Sequence, residues 1–142
     1  MNEEIIVRLK ILSVTYTPDQ ITSITGLRCD RSWLVGDKRG NTTILEKCNG
    51  WILNSNLPKD ASLVDHIENV LEQAGPVASN LRALSEYAEV ELSCVIYSFS
   101  PPALNFKCEI IERINTLGAS LDIDLYILEN EHSAGSLVHP SI

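Results

Sequence analysis

The sequence predicts an α+β fold, a mixed and mostly antiparallel sheet with helices packed on one face, its elements running β-α-β-β-α-α-β-α-β. Three observations carry this. Apolar residues alternate with period two at both ends of the chain, apolar residues recur at helical spacing between them, and prolines and glycines separate the two patterns.

Taken in order, residues 5–14 set Ile5, Val7, Leu9 and Ile11 against Ile6, Arg8, Lys10 and Leu12, the alternation of a half-buried strand. Thr17-Pro18-Asp19-Gln20 then reads as a helix start. Thr17 caps, Pro18 suits the first helical position and Gln20 closes a capping box. That helix ends near Gly26. A charged, glycine-bearing stretch, 27–42, leads to Ile44, Leu45, Asn49-Gly50 and Trp51-Ile52-Leu53. Asn-Gly between apolar segments predicts a hairpin over 43–54, because both residues tolerate positive φ. Ser62 caps a second helix, whose Leu63, Ile67, Val70, Leu71 and Ala74 share one face before Gly75-Pro76 stops it. A further helix over 77–87 presents Val77, Leu81 and Leu84. Val90, Leu92, Cys94 and Ile96 then form a strand that Pro101-Pro102 ends. Phe106, Ile110, Ile114 and Leu117 give the last helical stripe, closed by Gly118. In the final strand, 120–128, Leu121, Ile123, Leu125 and Ile127 point one way and Asp122, Asp124, Tyr126 and Leu128 the other. Residues 1–128 thus read as one domain and 129–142, without periodicity, as a mobile tail.

A chain of 142 residues with 44% hydrophobic and 21% charged side chains can bury a core without metals or disulfides. Cys29, Cys48, Cys94 and Cys108 form no close pair of the zinc or redox kind and read as reduced thiols. No cofactor is expected. The start, Met1-Asn2-Glu3-Glu4, lacks the basic and apolar regions of a signal peptide, and no apolar run reaches membrane-span length. A cytoplasmic protein, monomeric or weakly self-associating, is expected. The net charge is −8, with −2 in residues 1–75 and −6 in 76–142. Nucleic acid is disfavoured as a partner, because its binding depends on Lys and Arg neutralising phosphates. An acidic surface suits a basic protein instead.

The segment Cys29-Asp30-Arg31-Ser32-Trp33-Leu34-Val35-Gly36-Asp37, followed by Trp51 and by Leu121-Asp122-Ile123-Asp124-Leu125-Tyr126, resembles a bacterial family of small domains known as domain of unknown function 4279. The resemblance spans about residues 5–128. It implies an opening strand and proline-started helix, an Arg-x-Trp-x-x-Gly-Asp-like segment, a tryptophan strand, helices and a closing Asp-x-Tyr strand. It implies no activity.

The candidate binding residues lie in the stretch 28–40. Arg28, Arg31, Lys38 and Arg39 outnumber Asp30 and Asp37 there, giving +2 in an acidic chain, with Trp33 among them and Trp51 beyond. Arginine and tryptophan together clamp anions, stack on flat ligands or anchor interfaces. The structural alternative packs Trp33 on the core and pairs Arg31 with an acid. Asp122 and Asp124, two apart on one strand face, would repel each other without a nearby cation. An ion pair from Arg31 to Asp122 or Asp124 is therefore expected, in preference to catalysis by the two carboxylates. His66, His132 and His139 are not spaced as metal ligands, and His66, one step off its helix's apolar face, reads as solvated or edge-packed. No catalytic residue and no metal site is assigned. Two functions follow. The first is a non-catalytic protein-binding module, such as an immunity-type antitoxin that neutralises a basic toxin. The second is a sensor or enzyme for an anionic or nucleotide-like ligand, held by the Arg/Trp stretch.

Overall fold

The computed structural model describes residues 2–129. The tail expected over 129–142 lies, from residue 130 on, outside the described residues, as do His132 and His139. The elements are β1 (Glu4–Ser13), α1 (Pro18–Thr25), β2 (Arg31–Trp33), β3 (Asn49–Asn54), α2 (Leu63–Ala74), a 3-10 turn (Gly75–Val77), α3 (Ala78–Leu84), β4 (Glu89–Ser98), α4 (Cys108–Thr116) and β5 (Ser120–Ile127). The five strands make one sheet in the order β2-β3-β1-β4-β5. All neighbours are antiparallel except β4 and β5, which are parallel and joined through α4, as a parallel pair requires a crossover. The α+β class, the element order and the mixed, mostly antiparallel sheet are as the sequence predicts.

Local chemistry explains the boundaries. The Thr17 side chain accepts from the Gln20 amide (3.2 Å) and the Thr17 amide donates to Gln20 Oε1 (2.9 Å), while Gly26 at φ 70° closes α1. Ser62 caps α2 by accepting from the Asp65 amide. Leu9, Ile11, Trp51, Leu53 and Leu92 turn inward from the sheet. They meet Ile21 of α1, Ile67 and Leu71 of α2, Leu81 of α3 and Ile114 of α4 in one core. Each of α1 to α4 contributes to that core, so among the described residues one sheet face is covered by helices and the other carries none.

Two expectations need correction. Asn49-Gly50 is not a hairpin turn. Both residues belong to β3, and β2 comes from residues 31–33, inside the stretch read as loop. A short hairpin-like arm, bridged between Lys38 and Leu45, makes the connection instead. The physical reason is side-chain space: a Cβ at Gly50 would lie 2.6 Å from Trp33 Cδ2 and closer still to Cε2 and Cζ2. Gly50 is needed so that the indole of its cross-strand neighbour Trp33 can lie on the β3 backbone. The second correction is the ion pair. Arg31 is on one edge strand and Asp122 and Asp124 are on the other, four strand spacings or about 19 Å apart. Arg31 pairs with neither.

Candidate functional site: the helix-free face of the sheet

Strand register decides which side chains share the open face. From Arg31↔Ile52, Ile52↔Lys10, Lys10↔Glu91 and Glu91↔Ser120, one row crosses the whole sheet. A neighbouring row runs Asn54, Arg8, Ser93, Asp122, and the next sets Ile6 beside Val95 and Asp124. Trp33 and Gly50 lie beyond the first row, and Glu4, Tyr97 and Tyr126 beyond the last. Arg31, Trp33, Asp122 and Asp124, singled out in the sequence, thus all belong to the helix-free face, though at its opposite edges.

The face is electrically polarised. Its β2–β3–β1 half carries Arg31, Arg8 and Lys10, with Glu4 at the far end of β1 engaged by Lys59, and its β4–β5 half carries Glu89, Glu91, Asp122 and Asp124. Lys10 and Glu91 meet across the middle at 3.4 Å, without the alignment of a hydrogen bond. Among the described residues Arg8, Arg31, Asp122 and Asp124 are in no ion pair. The Arg31 guanidinium lies over the Trp33 ring, 5.4 Å from its centroid, so the indole resting on Gly50 serves as a platform for a cation. At the other edge Tyr97 and Tyr126 stack with ring centroids 5.1 Å apart and planes 15° from parallel.

The remaining candidates are accounted for by the fold. Arg28 forks onto Asp30 (2.6 and 3.0 Å) and reaches the Asn54 carbonyl and the Asn56 and Gln73 side chains. Asp30 also accepts from the Asn54 amide at 2.7 Å. The Arg28 hydrogen bond holds the Asp30 carboxyl below the usual range, and Asp30 in turn raises Arg28. This cluster locks the entry to β2 onto the end of β3. Arg39 is bound to Glu46 across the arm at 3.1 Å, and Lys38 is exposed on the same arm. Trp51 is a correction: it is fully buried on the helix side, with Nε1 donating to Thr22 Oγ1 at 3.0 Å, so it is a core residue unavailable to a ligand.

Of the two outcomes expected for His66, solvated or edge-packed, the structure shows a packed ring. It is 2% exposed, not solvated. Its Nδ1 lies 2.7 Å from Ser55 Oγ and its Nε2 is buried without a hydrogen bond. Burial lowers its pKa, against opposing contributions from the Pro58 carbonyl, Asp65 and Asp60. Arg8 is the residue the sequence reading passed over. It is half-buried, and its Nε has no partner. Burial lowers its pKa and the Arg31 charge lowers it further. Its signal was present in the sequence, since Arg8 and Lys10 occupy the outward phase of the first strand. Cys94, buried in the core, has its thiol pushed up to about 12, chiefly by burial. Among the described residues no group of three His, Cys, Asp or Glu side chains could hold a metal ion, and no helix is long and apolar enough to cross a membrane.

The architecture and the site define an α+β domain built around one charge-polarised, helix-free sheet face. The chain matches the family model of the domain of unknown function DUF4279 over residues 3–128. It belongs to that family. Nothing matches it among curated proteins or among solved structures.

Proposed function

We propose that the domain is a non-catalytic binding module that docks a basic protein surface on the acidic half of its helix-free face, as an immunity-type antitoxin does when it occludes a basic toxin. The observation that carries this reading is the β5 edge. Asp122 and Asp124 project from it onto the open face with no cation paired to either among the described residues. Tyr126, 51% exposed and stacked on Tyr97, follows on the same strand face. Unneutralised carboxylates beside an exposed aromatic ring stacked on a half-buried one suit an interface in which charge steers approach and the rings supply contact area.

The test uses the full chain and the basic proteins encoded beside its gene. A stoichiometric complex is expected with one of them, weakened by salt. Asp122→Lys with Asp124→Lys is expected to slow association by about tenfold or more. If no neighbouring product binds, or if a complex forms that ignores both salt and charge reversal, the reading fails.

A further inference from the structure

After the Ser55 amide donates to the Val7 carbonyl at 3.0 Å, the chain swings away from β1, and it returns only where the Ile5 amide donates to the Lys59 carbonyl at 3.4 Å. Between these two points a cleft of 380 Å³ opens beside the end of β3, within the range of small-ligand sites. Arg8, Arg31 and His66 line it, and Ile6, Ile52 and Leu57 give it apolar walls. Among the described residues no carboxylate lines it.

We propose that this cleft binds the dianionic oxyanion of a small phosphate monoester, held between the Arg8 and Arg31 guanidinium groups. The argument begins with cost. A half-buried cation without a counter-charge destabilises a fold, and a second cation beside it adds to that. Arg8 bears both, with its Nε unpartnered, while carboxylates are plentiful elsewhere on the same face. His66, whose Nδ1 meets Ser55 Oγ at 2.7 Å, lines the same cleft and brings no negative charge to it. A bound dianion neutralises both arginines at once, and guanidinium forks match phosphate oxygens in geometry. Lys59 also lines the cleft but is engaged by Glu4 at 3.1 Å, which leaves two free cations for two negative charges. The apolar walls suit a short carbon skeleton. Beyond the cleft the same face carries Glu89, Glu91, Asp122 and Asp124, which disfavours a polyanionic chain and favours a small ester over nucleic acid as the source of the phosphate.

This site lies on the basic half of the face, so it stands or falls independently of the docking reading above. Isothermal titration calorimetry of the full chain at low salt, with glycerol 3-phosphate, inorganic phosphate, succinate and a single-stranded oligonucleotide, tests it. Glycerol 3-phosphate is expected to bind at least as tightly as inorganic phosphate, and both more tightly than succinate. Arg8→Gln and Arg31→Gln should each weaken the ester by about tenfold or more, while Arg39→Gln, on the distant arm, leaves it unchanged. Arg8→Gln removes an unpaired half-buried charge, so its melting temperature should equal or exceed that of the wild type and loss of binding is not loss of fold. The proposal is overturned if the ester fails to bind at millimolar concentration, if it binds equally to the Arg8→Gln/Arg31→Gln protein, or if the oligonucleotide or succinate binds more tightly than the ester.

Discussion

Gly50→Ala should change sign with the residue across from it. In the wild type the new Cβ would enter the space of the Trp33 indole, 2.6 Å from Cδ2 and nearer still to two further ring atoms. The ring must leave its place on β3 or the strands must part. Overpacking of this kind costs about 1–3 kcal/mol. Gly50 has no positive φ, so its backbone accommodates alanine without strain. With the ring removed by Trp33→Ala, only the backbone effect remains. Replacing a mid-strand glycine then stabilises by about 0.5–1 kcal/mol, because the unfolded chain has less freedom to lose. The two backgrounds should therefore differ by about 1.5–4 kcal/mol in the effect of one methyl group, a coupling that a double-mutant cycle isolates. Urea unfolding followed by far-UV circular dichroism measures it. Tryptophan emission from the Gly50→Ala protein should also shift to the red as Trp33 is expelled. Equal effects of Gly50→Ala in both backgrounds would refute the claim that glycine is required at position 50 to seat Trp33.

The other predictions concern the charges. Arg31→Ala should cost no more than about 1 kcal/mol, the worth of an exposed cation on an aromatic ring, and Asp124→Ala should fall within about 0.5 kcal/mol of the wild type. Together they should be additive within about 0.5 kcal/mol, and a larger coupling in urea unfolding would put the two edge strands in the wrong places. His66 should make the fold sensitive to mild acid. Its lowered folded-state pKa means that above the ordinary value of about 6.5 the ring is neutral in both states and contributes no pH dependence. Between that value and the folded one the unfolded chain binds a proton that the folded chain refuses, so stability falls as pH drops, at up to about 1.4 kcal/mol per pH unit, and levels off below. The stability difference between the wild type and His66→Asn, followed from pH 7.5 to pH 5, should move against the wild type on acidification. Parallel curves would show that burial does not hold the ring neutral.

Most of the fold could be read from the sequence because its signals are local. The capping box at Thr17 and Gln20, the apolar face of α2 and the alternation in β1 and β5 each depend on neighbours within a few residues, and each stands where it was expected. Asn49-Gly50 shows the limit of such reading. The dipeptide signals a turn through its tolerance of positive φ, yet Gly50 is used for its missing side chain, a requirement set by Trp33, 17 positions earlier in the chain. Trp51 shows another limit: nothing in Gly50-Trp51-Ile52 says which phase of β3 faces the helices.

The Arg31 to Asp124 pairing failed for a topological reason, and the failure bears on function. Alternation places a residue on a face but says nothing about strand order, and in the order β2-β3-β1-β4-β5 the two ends of the sequence motif become the two edges of the sheet. The charges that would have cancelled in a structural pair are held apart instead, Arg8 and Arg31 on one half of the open face and Asp122 and Asp124 on the other. Among the described residues Lys10 and Glu91 meet at the seam between β1 and β4, and Glu4 at the end of β1 is engaged by Lys59. A sheet that needed these residues for stability alone could set them opposite one another at no cost in pleat or register, since cross-strand pairs of opposite charge are favourable wherever they fall on an exposed face. Keeping Arg8 and Arg31 together, and Asp122 and Asp124 together, forgoes that stabilisation at both edges. On this arrangement rest both proposals, a basic surface docked at β5 and an oxyanion held at the end of β3.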